Sequence, residues 1–311
     1  MTAIYFDPVC SDEQRRTLLY NGDILVYSPR PSTRAFCEFA RAMIREAFAP
    51  LDPERAQFSL PVERFVAILA DLKPRFIHHP QSKALIRELL QEFGCDPEDT
   101  YFDVPRLRTM THGDYLRAGI AYALHPHRDT WYAAPLCQQN WWLPIYDLDV
   151  TNCMAFHPQY WAQPVRNGSS RYNHYEWNRT ARGSAAQHIQ TDAREQPRPE
   201  EPLELEPELR IVCRAGSVIL FSGAQLHSTV ANTSGRTRFS IDFRVASASD
   251  LAARYGALNV DSAPQGTTLW ELRRVSDLAR LPEEIIRLYD STAPEEGREY
   301  VPSVAADALA T

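Results

Sequence analysis

Apolar residues recur at helical spacing early in the chain. Over Ser32–Phe48, the side chains of Phe36, Phe39, Met43, Ile44 and Phe48 fall near one face, and Ser32 or Thr33 supplies an N-cap. Pro61–Leu72 and Ser82–Phe93 predict two more amphipathic helices, and Asp23–Tyr27 a short strand before them. From about Tyr101 the period shortens. Tyr115–Leu124, Leu136–Tyr146, Leu209–Arg214, Ser217–Phe221, His227–Ala231 and Thr237–Val245 read as strands, and no regular succession of helices separates them. That pattern predicts a sandwich or jelly roll, not a doubly wound sheet. Beyond Val245 only Pro282–Tyr289 predicts a helix.

Two segments break the pattern. The stretch from His157 to Asp192 is dense in Tyr, Trp, Asn and Arg, which suits either a lid over a polar ligand or a covering layer on a barrel. Glu195–Leu209 holds six Glu and four Pro against one Arg, and reads as an exposed connection. No internal repeat is visible. The expected organisation is a single catalytic domain over 1–311. It comprises a helical part (1–100), a jelly-roll core (101–245) with a lid insertion at about 157–192, and a C-terminal extension (246–311).

Composition narrows the function classes. With 33 Lys plus Arg against 40 Asp plus Glu, the net charge is −7 and no basic tract is present. A nucleic-acid polymer is therefore not the expected partner. The longest apolar runs, such as Phe65–Ala70, fall far short of the roughly 20 residues that cross a bilayer. The N-terminus shows no signal-peptide pattern, and the six cysteines are scattered without a CxxC pair. These features predict a cytoplasmic chain with reduced thiols and no membrane partner. Its oligomeric state is not legible.

The chemistry concentrates in the histidines. Two HxD tripeptides occur, His112-Gly113-Asp114 and His127-Arg128-Asp129. His127 and Asp129 lie between two apolar segments, at a rim where a loop can aim both side chains inward, whereas His112 and Asp114 flank a glycine and look like turn residues. A histidine from a later strand, His227, would complete a 2-His-1-carboxylate triad. Along Thr237–Val245, Arg238, Ser240, Asp242 and Arg244 share one face, and Phe239, Ile241, Phe243 and Val245 the other. If the apolar face packs against the helices, Arg238 points inward, where a guanidinium needs an anion such as a dicarboxylate.

Taken together, His127-x-Asp129, the later His227 in its Leu-His-Ser setting and Arg238-x-Ser240 eleven residues beyond resemble the Fe(II)/2-oxoglutarate-dependent dioxygenases. The similarity is to their phytanoyl-CoA dioxygenase-like branch, over roughly residues 101–245. The resemblance implies a mainly β fold with α elements: a double-stranded β-helix, or jelly roll, flanked by N-terminal helices. It implies that His127, Asp129 and His227 ligate Fe(II), and that Arg238, helped by Ser240, binds the 2-oxoglutarate cosubstrate. Arg236 competes with Arg238 but fits the spacing less well. It further implies hydroxylation of a C–H bond with O2, as 2-oxoglutarate is decarboxylated to succinate. Related halogenases lack the carboxylate ligand, so Asp129 favours hydroxylation, or a related desaturation or cyclisation, over chlorination.

Gln138 and Asn140 share a face with Trp142 on the strand before the lid. They either donate to 2-oxoglutarate or substrate, or make ordinary sheet-surface hydrogen bonds. Thr130, Trp131, Arg166 and Arg179 are candidate substrate contacts beside the metal loop or in the lid. The polar lid points to a small polar metabolite, such as a sugar, nucleoside, nucleotide or amino-acid derivative. The alternative is a cupin-like metal-binding protein or isomerase without dioxygenase activity, which would not need Arg238-x-Ser240.

Overall fold

The computed structural model describes residues 2–120, 125–292 and 294–300. Its strands are β1 (Ile4–Phe6), β2 (Ile24–Tyr27), β3 (Thr100–Phe102), β4 (Arg106–Met110), β5 (Gln139–Pro144), β6 (Met154–Phe156), β7 (Leu209–Ile211), β8 (Val218–Ser222), β9 (His227–Thr229), β10 (Arg238–Ser247) and β11 (Arg273–Arg274). The helices are α1 (Asp12–Tyr20), α2 (Pro31–Phe48), α3 (Val62–His78), α4 (Pro80–Glu92), α5 (His174–Glu176), α6 (Ala248–Ala253) and α7 (Glu283–Arg287).

Eight strands form the larger sheet, in the order β1-β2-β8-β5-β10-β3-β11, with β4 lying beside β3 along the same edge of β10. A smaller sheet has the order β7-β6-β9. This is the jelly-roll architecture expected from the run of short strands. The helical and C-terminal parts are not separate from it, because β1, β2 and β11 extend the large sheet.

Alternation along β10 sets the layers. Phe239, Ile241, Phe243 and Val245 are buried in one core with Phe36, Phe48, Phe65 and Phe76 of the helices. The other face looks between the sheets, where Trp142, Ile219 and Phe221 pack against Met154, Phe156 and Ile211 of the smaller sheet. The strand β8 is buried at every position, so it reads as an unbroken apolar run and not as an alternation.

The helix over Ser32–Phe48 starts one residue earlier, at Pro31, whose ring presets the helical φ at the first position. Thr33 accepts a hydrogen bond from the Arg30 N–H, while Ser32 turns to Glu92. The second helix runs past Leu72 and through Pro74 to His78, because Phe76 stacks on Phe36 and Phe39 (5.9 and 6.0 Å) and holds the last turn. Of the strand expected at Tyr115–Leu124, residues 115–120 form bends and turns and the remainder lies outside the described residues. Among the described residues five strands escape the periodicity altogether: β1, β3 and β6 have three residues each, β11 has two, and β4 (RLRTM) sets two arginines on its inner face.

The acidic connection is not simply solvated. The Glu200 carbonyl accepts from Arg166, its carboxylate meets Arg171, and the Pro197 carbonyl accepts from Tyr132 and lies 2.7 Å from His125 Nε2. All six cysteines are free thiols, and among the described residues no helix is long and apolar enough to cross a membrane.

Candidate metal centre and cosubstrate pocket

His127 and His227 exchange both backbone hydrogen bonds, 3.0 Å each way, in an isolated antiparallel bridge at the end of β9. That bridge sets two rings side by side, with centroids 4.3 Å apart. Asp129 opens a single 3₁₀ turn, Asp129–Tyr132, and returns its carboxylate to the same spot. One ligand atom from each of His127, Asp129 and His227 lies within 4.8 Å of the others, and all three residues are buried.

Backbone carbonyls orient both imidazoles. His127 Nδ1 lies 2.9 Å from the His125 carbonyl, and His227 Nδ1 lies 3.0 Å from the Gln225 carbonyl. A carbonyl only accepts, so each Nδ1 carries the proton and each Nε2 keeps a free lone pair for a metal. Burial pulls the His227 imidazole down to about 3, helped by the neighbouring His127, which keeps it neutral. Burial alone would raise the Asp129 carboxyl. Contact with the His127 ring and the positive charge of Arg244 override it and hold the group well below the usual carboxylate range. Two neutral nitrogens and one carboxylate oxygen suit a divalent first-row metal, with open positions left over.

The residue between the two ligands is an anchor. Arg128 is 1% exposed; its Nε pairs with Asp261 Oδ2 (3.0 Å), Nη1 donates to the Ala224 carbonyl (2.6 Å), and Nη2 donates to the carbonyls of Tyr160 (2.6 Å) and Gln163 (3.0 Å). Since consecutive side chains of an extended segment point oppositely, burying Arg128 on one side aims His127 and Asp129 to the other. Asp261 also accepts from the Trp131 indole N–H (2.7 Å) and from the Val165 backbone.

A second group of buried polar side chains lies on the inner face of β10. Arg238 is buried over the Trp142 ring (5.4 Å), with Nη1 donating to the Asn152 carbonyl (2.9 Å). Its Nε and the Ser240 Oγ are buried without a hydrogen-bond partner. Two orphan groups on one strand face are what an absent carboxylate would leave behind. Burial pulls the Arg238 guanidinium down to about 10, and Arg108 adds to that effect. Gln138 Nε2 donates to Asp129 Oδ2 (3.0 Å) and to Asn140 Oδ1 (2.9 Å), so both residues face inward and tie the strand to the triad.

The remaining candidates fall elsewhere. Trp131 is fully buried among Tyr160, Val165 and Leu226. Thr130 Oγ1 accepts from Ser262 (2.7 Å). Arg166 is exposed and bonded to Glu200, and Arg179 is exposed and paired with Glu176. All four side chains bond within the protein: Thr130 to the Ser262 hydroxyl, Trp131 to Asp261, Arg166 to Glu200 and Arg179 to Glu176. The rival tripeptide is also structural: the Gly235 N–H donates to His112 Nδ1 (3.0 Å), and Asp114 pairs with Arg117 at the surface. Arg236 sits 3.8 Å from Glu54, away from the Arg238 side chain.

Sequence reading misses Arg128, Asp261 and Gly223, and assigns nothing to Arg108 or Arg244. The alternation that turns Arg238 inward carries the signal for Arg244, whereas nothing local marks Asp261. Gly223 sits where an added Cβ would lie 3.2 Å from Gln138 Nε2 and 3.5 Å from Asp129 Cβ.

Among curated proteins none matches the chain. Similar solved structures include the epimerase SnoN in complex with Fe3+, alpha-ketoglutarate and a nogalamycin. It is 15% identical, with 76% of this chain and 85% of that one covered and a TM-score of 0.40. EvdO2 from Micromonospora carbonacea var. aurantiaca, complexed with 2-oxoglutarate, is 13% identical, with 77% and 92% covered and a TM-score of 0.42. The carbocyclase SnoK from nogalamycin biosynthesis is 16% identical, with 77% and 85% covered and a TM-score of 0.37. The phytanoyl-CoA dioxygenase (PhyH) family model matches residues 32–240, which takes in α2, α3 and α4 as well as most of the jelly roll. The chain belongs to the phytanoyl-CoA dioxygenase family.

Proposed function

We propose that this chain is an Fe(II)- and 2-oxoglutarate-dependent oxygenase that hydroxylates a C–H bond of a small polar metabolite. The observation that carries the reading is a pairing. A buried His127–Asp129–His227 cluster has both Nε2 atoms turned from the carbonyls that hold Nδ1, and Arg238 and Ser240 on the inner face of β10 hold unpartnered buried polar atoms.

His127, Asp129 and His227 would hold the iron, and Arg238 with Ser240 would take the distal carboxylate of 2-oxoglutarate. When bound, iron with 2-oxoglutarate and O2 supplies the oxidising power, and the cosubstrate leaves as succinate and CO2. The chain supplies the geometry. The Asp129 carboxylate stays charged, the carbonyls behind each Nδ1 fix the ring planes, and Phe221, 4.9 Å from the His227 ring, keeps water from that side. Asp129 supports hydroxylation, or a related desaturation or cyclisation, over chlorination.

Anaerobic titration of the Fe(II)-loaded chain with 2-oxoglutarate tests this through the weak visible charge-transfer band. The band is expected in wild type and in His112→Ala, lost in His127→Ala, and shifted to higher 2-oxoglutarate concentration in Arg238→Ala. Its absence from folded, iron-loaded wild type would overturn the reading in favour of a cupin-like metal protein.

A further inference from the structure

On the inner face of β10, three alternate side chains carry a buried polar atom without a hydrogen-bond partner: Arg238 Nε, Ser240 Oγ and Arg244 Nη1. A dicarboxylate cosubstrate accounts for the first two. It does not account for Arg244, which lies six residues from Arg238, roughly 20 Å along an extended strand. Arg244 Nε stands 3.8 Å from Asp129 Oδ2, so this third donor sits next to the metal cluster.

The carboxylates around Arg244 are already committed. Asp242 takes Arg108 in a two-pronged pair (2.6 and 3.2 Å), and stands 3.5 Å from Arg244 Nη1. Asp103 accepts the Arg244 backbone N–H on Oδ1 (2.8 Å) and Arg106 on Oδ2 (2.5 Å), and stands 3.6 Å from Nη1. Asp129 gives Oδ2 to Gln138 and turns Oδ1 towards His127. Glu271 pairs with Arg182 and lies 3.6 Å from Arg106. Once Asp129 serves a metal, four guanidiniums (Arg106, Arg108, Arg182, Arg244) face three carboxylates (Asp103, Asp242, Glu271). The Arg108 and Arg244 side chains are 37% and 19% exposed, against 7% for Asp103 and 14% for Asp242.

We infer that Arg244 is the anchor of a substrate subsite for an anionic group, a carboxylate or a phosphate, next to the Asp129 ligand. The inference rests on the proposed function and deepens it: the polar metabolite is an anion. Its charge docks on the partly exposed Arg244 guanidinium, whose Nη1 is the β10 donor that 2-oxoglutarate leaves unexplained.

Calorimetric titration with inorganic phosphate and, separately, with butyrate tests this. It is run on the anaerobic Fe(II)–2-oxoglutarate complex and on the metal-free chain. Binding is expected to weaken about tenfold or more in Arg244→Gln, the size of one lost charge-assisted hydrogen bond. Arg244→Lys keeps the charge and is expected to restore most of the affinity, which separates recognition from misfolding. Preference for phosphate or for butyrate tells a phosphorylated substrate from a carboxylic acid. The inference is overturned if neither anion binds to a wild-type chain that forms the charge-transfer band. It is equally overturned if Arg244→Gln binds as wild type does, or if binding is lost in Arg238→Gln and kept in Arg244→Gln. If the band never forms while Arg244-dependent anion binding persists, the proposed function fails and the anion subsite stands.

Discussion

Gln138 Nε2 donates to Asp129 Oδ2 at 3.0 Å, and so leaves Oδ1 as the oxygen that faces His127 Nε2, 3.5 Å away. The second amide hydrogen of Gln138 goes to Asn140, so the amide cannot turn without losing a bond. A carboxylate ligand held by its outer oxygen is presented through one oxygen only.

Replacing Gln138 with Leu should therefore weaken metal binding about 10-fold or more, the usual effect of removing such a partner. The fold should survive, since Leu matches the volume of the buried Gln138 side chain. Competition with a fluorescent chelator measures the change; an affinity equal to wild type would show that Asp129 needs no such tether.

Gly223 leaves the space that Gln138 uses. A Cβ there meets the Gln138 side chain at 3.2 and 3.3 Å, tighter than ordinary contact, so Gly223→Ala should shift the amide slightly and Gly223→Val more. The expected order of metal affinity is wild type, then Ala, then Val. An unchanged affinity in Gly223→Val would locate the constraint elsewhere.

Asp261→Ala should destabilise the chain by about 3–5 kcal/mol, because it strands the buried Arg128 charge. Arg128 and Asp261 are both nearly inaccessible to solvent, 1% and 3% exposed in their side chains. The same substitution frees the loop between the metal ligands, so metal affinity and the urea midpoint should fall together. A loss of stability with no loss of affinity would mean that the bridge between His127 and His227 holds the loop alone.

Acid should unfold the metal-free chain partly through His157, which is fully buried, with Nδ1 unpartnered. Burial pulls its folded-state value below the ordinary one. The unfolded chain therefore takes up a proton first as pH falls through about 6.5, and stability drops from there downward, while above that value both states are neutral and the histidine contributes nothing. His157→Gln should flatten the fall in urea midpoint between about pH 7 and pH 5. An identical slope would assign the acid response to His125 and His227, which burial also depresses.

The sequence by itself determined what has a period. Phe36, Phe39, Met43, Ile44 and Phe48 repeat at helical spacing, and α2 follows; Phe239, Ile241, Phe243 and Val245 alternate, so Arg238, Ser240 and Arg244 turn inward. The short spacing of His127 and Asp129 also survives folding unchanged, because two residues of extended chain fix where both side chains point. What the tertiary structure decided is how each polar group is spent. Arg166 and Arg179 carry the residue type of a substrate contact, yet glutamates take them; Arg128 carries no signal of its own in the sequence, yet Asp261, 133 positions away, makes it the anchor of the metal loop. A hydrogen bond depends on which acceptor lies within 3 Å, and that distance is set by chain segments far apart in sequence. Burial of an apolar face depends only on its local repeat.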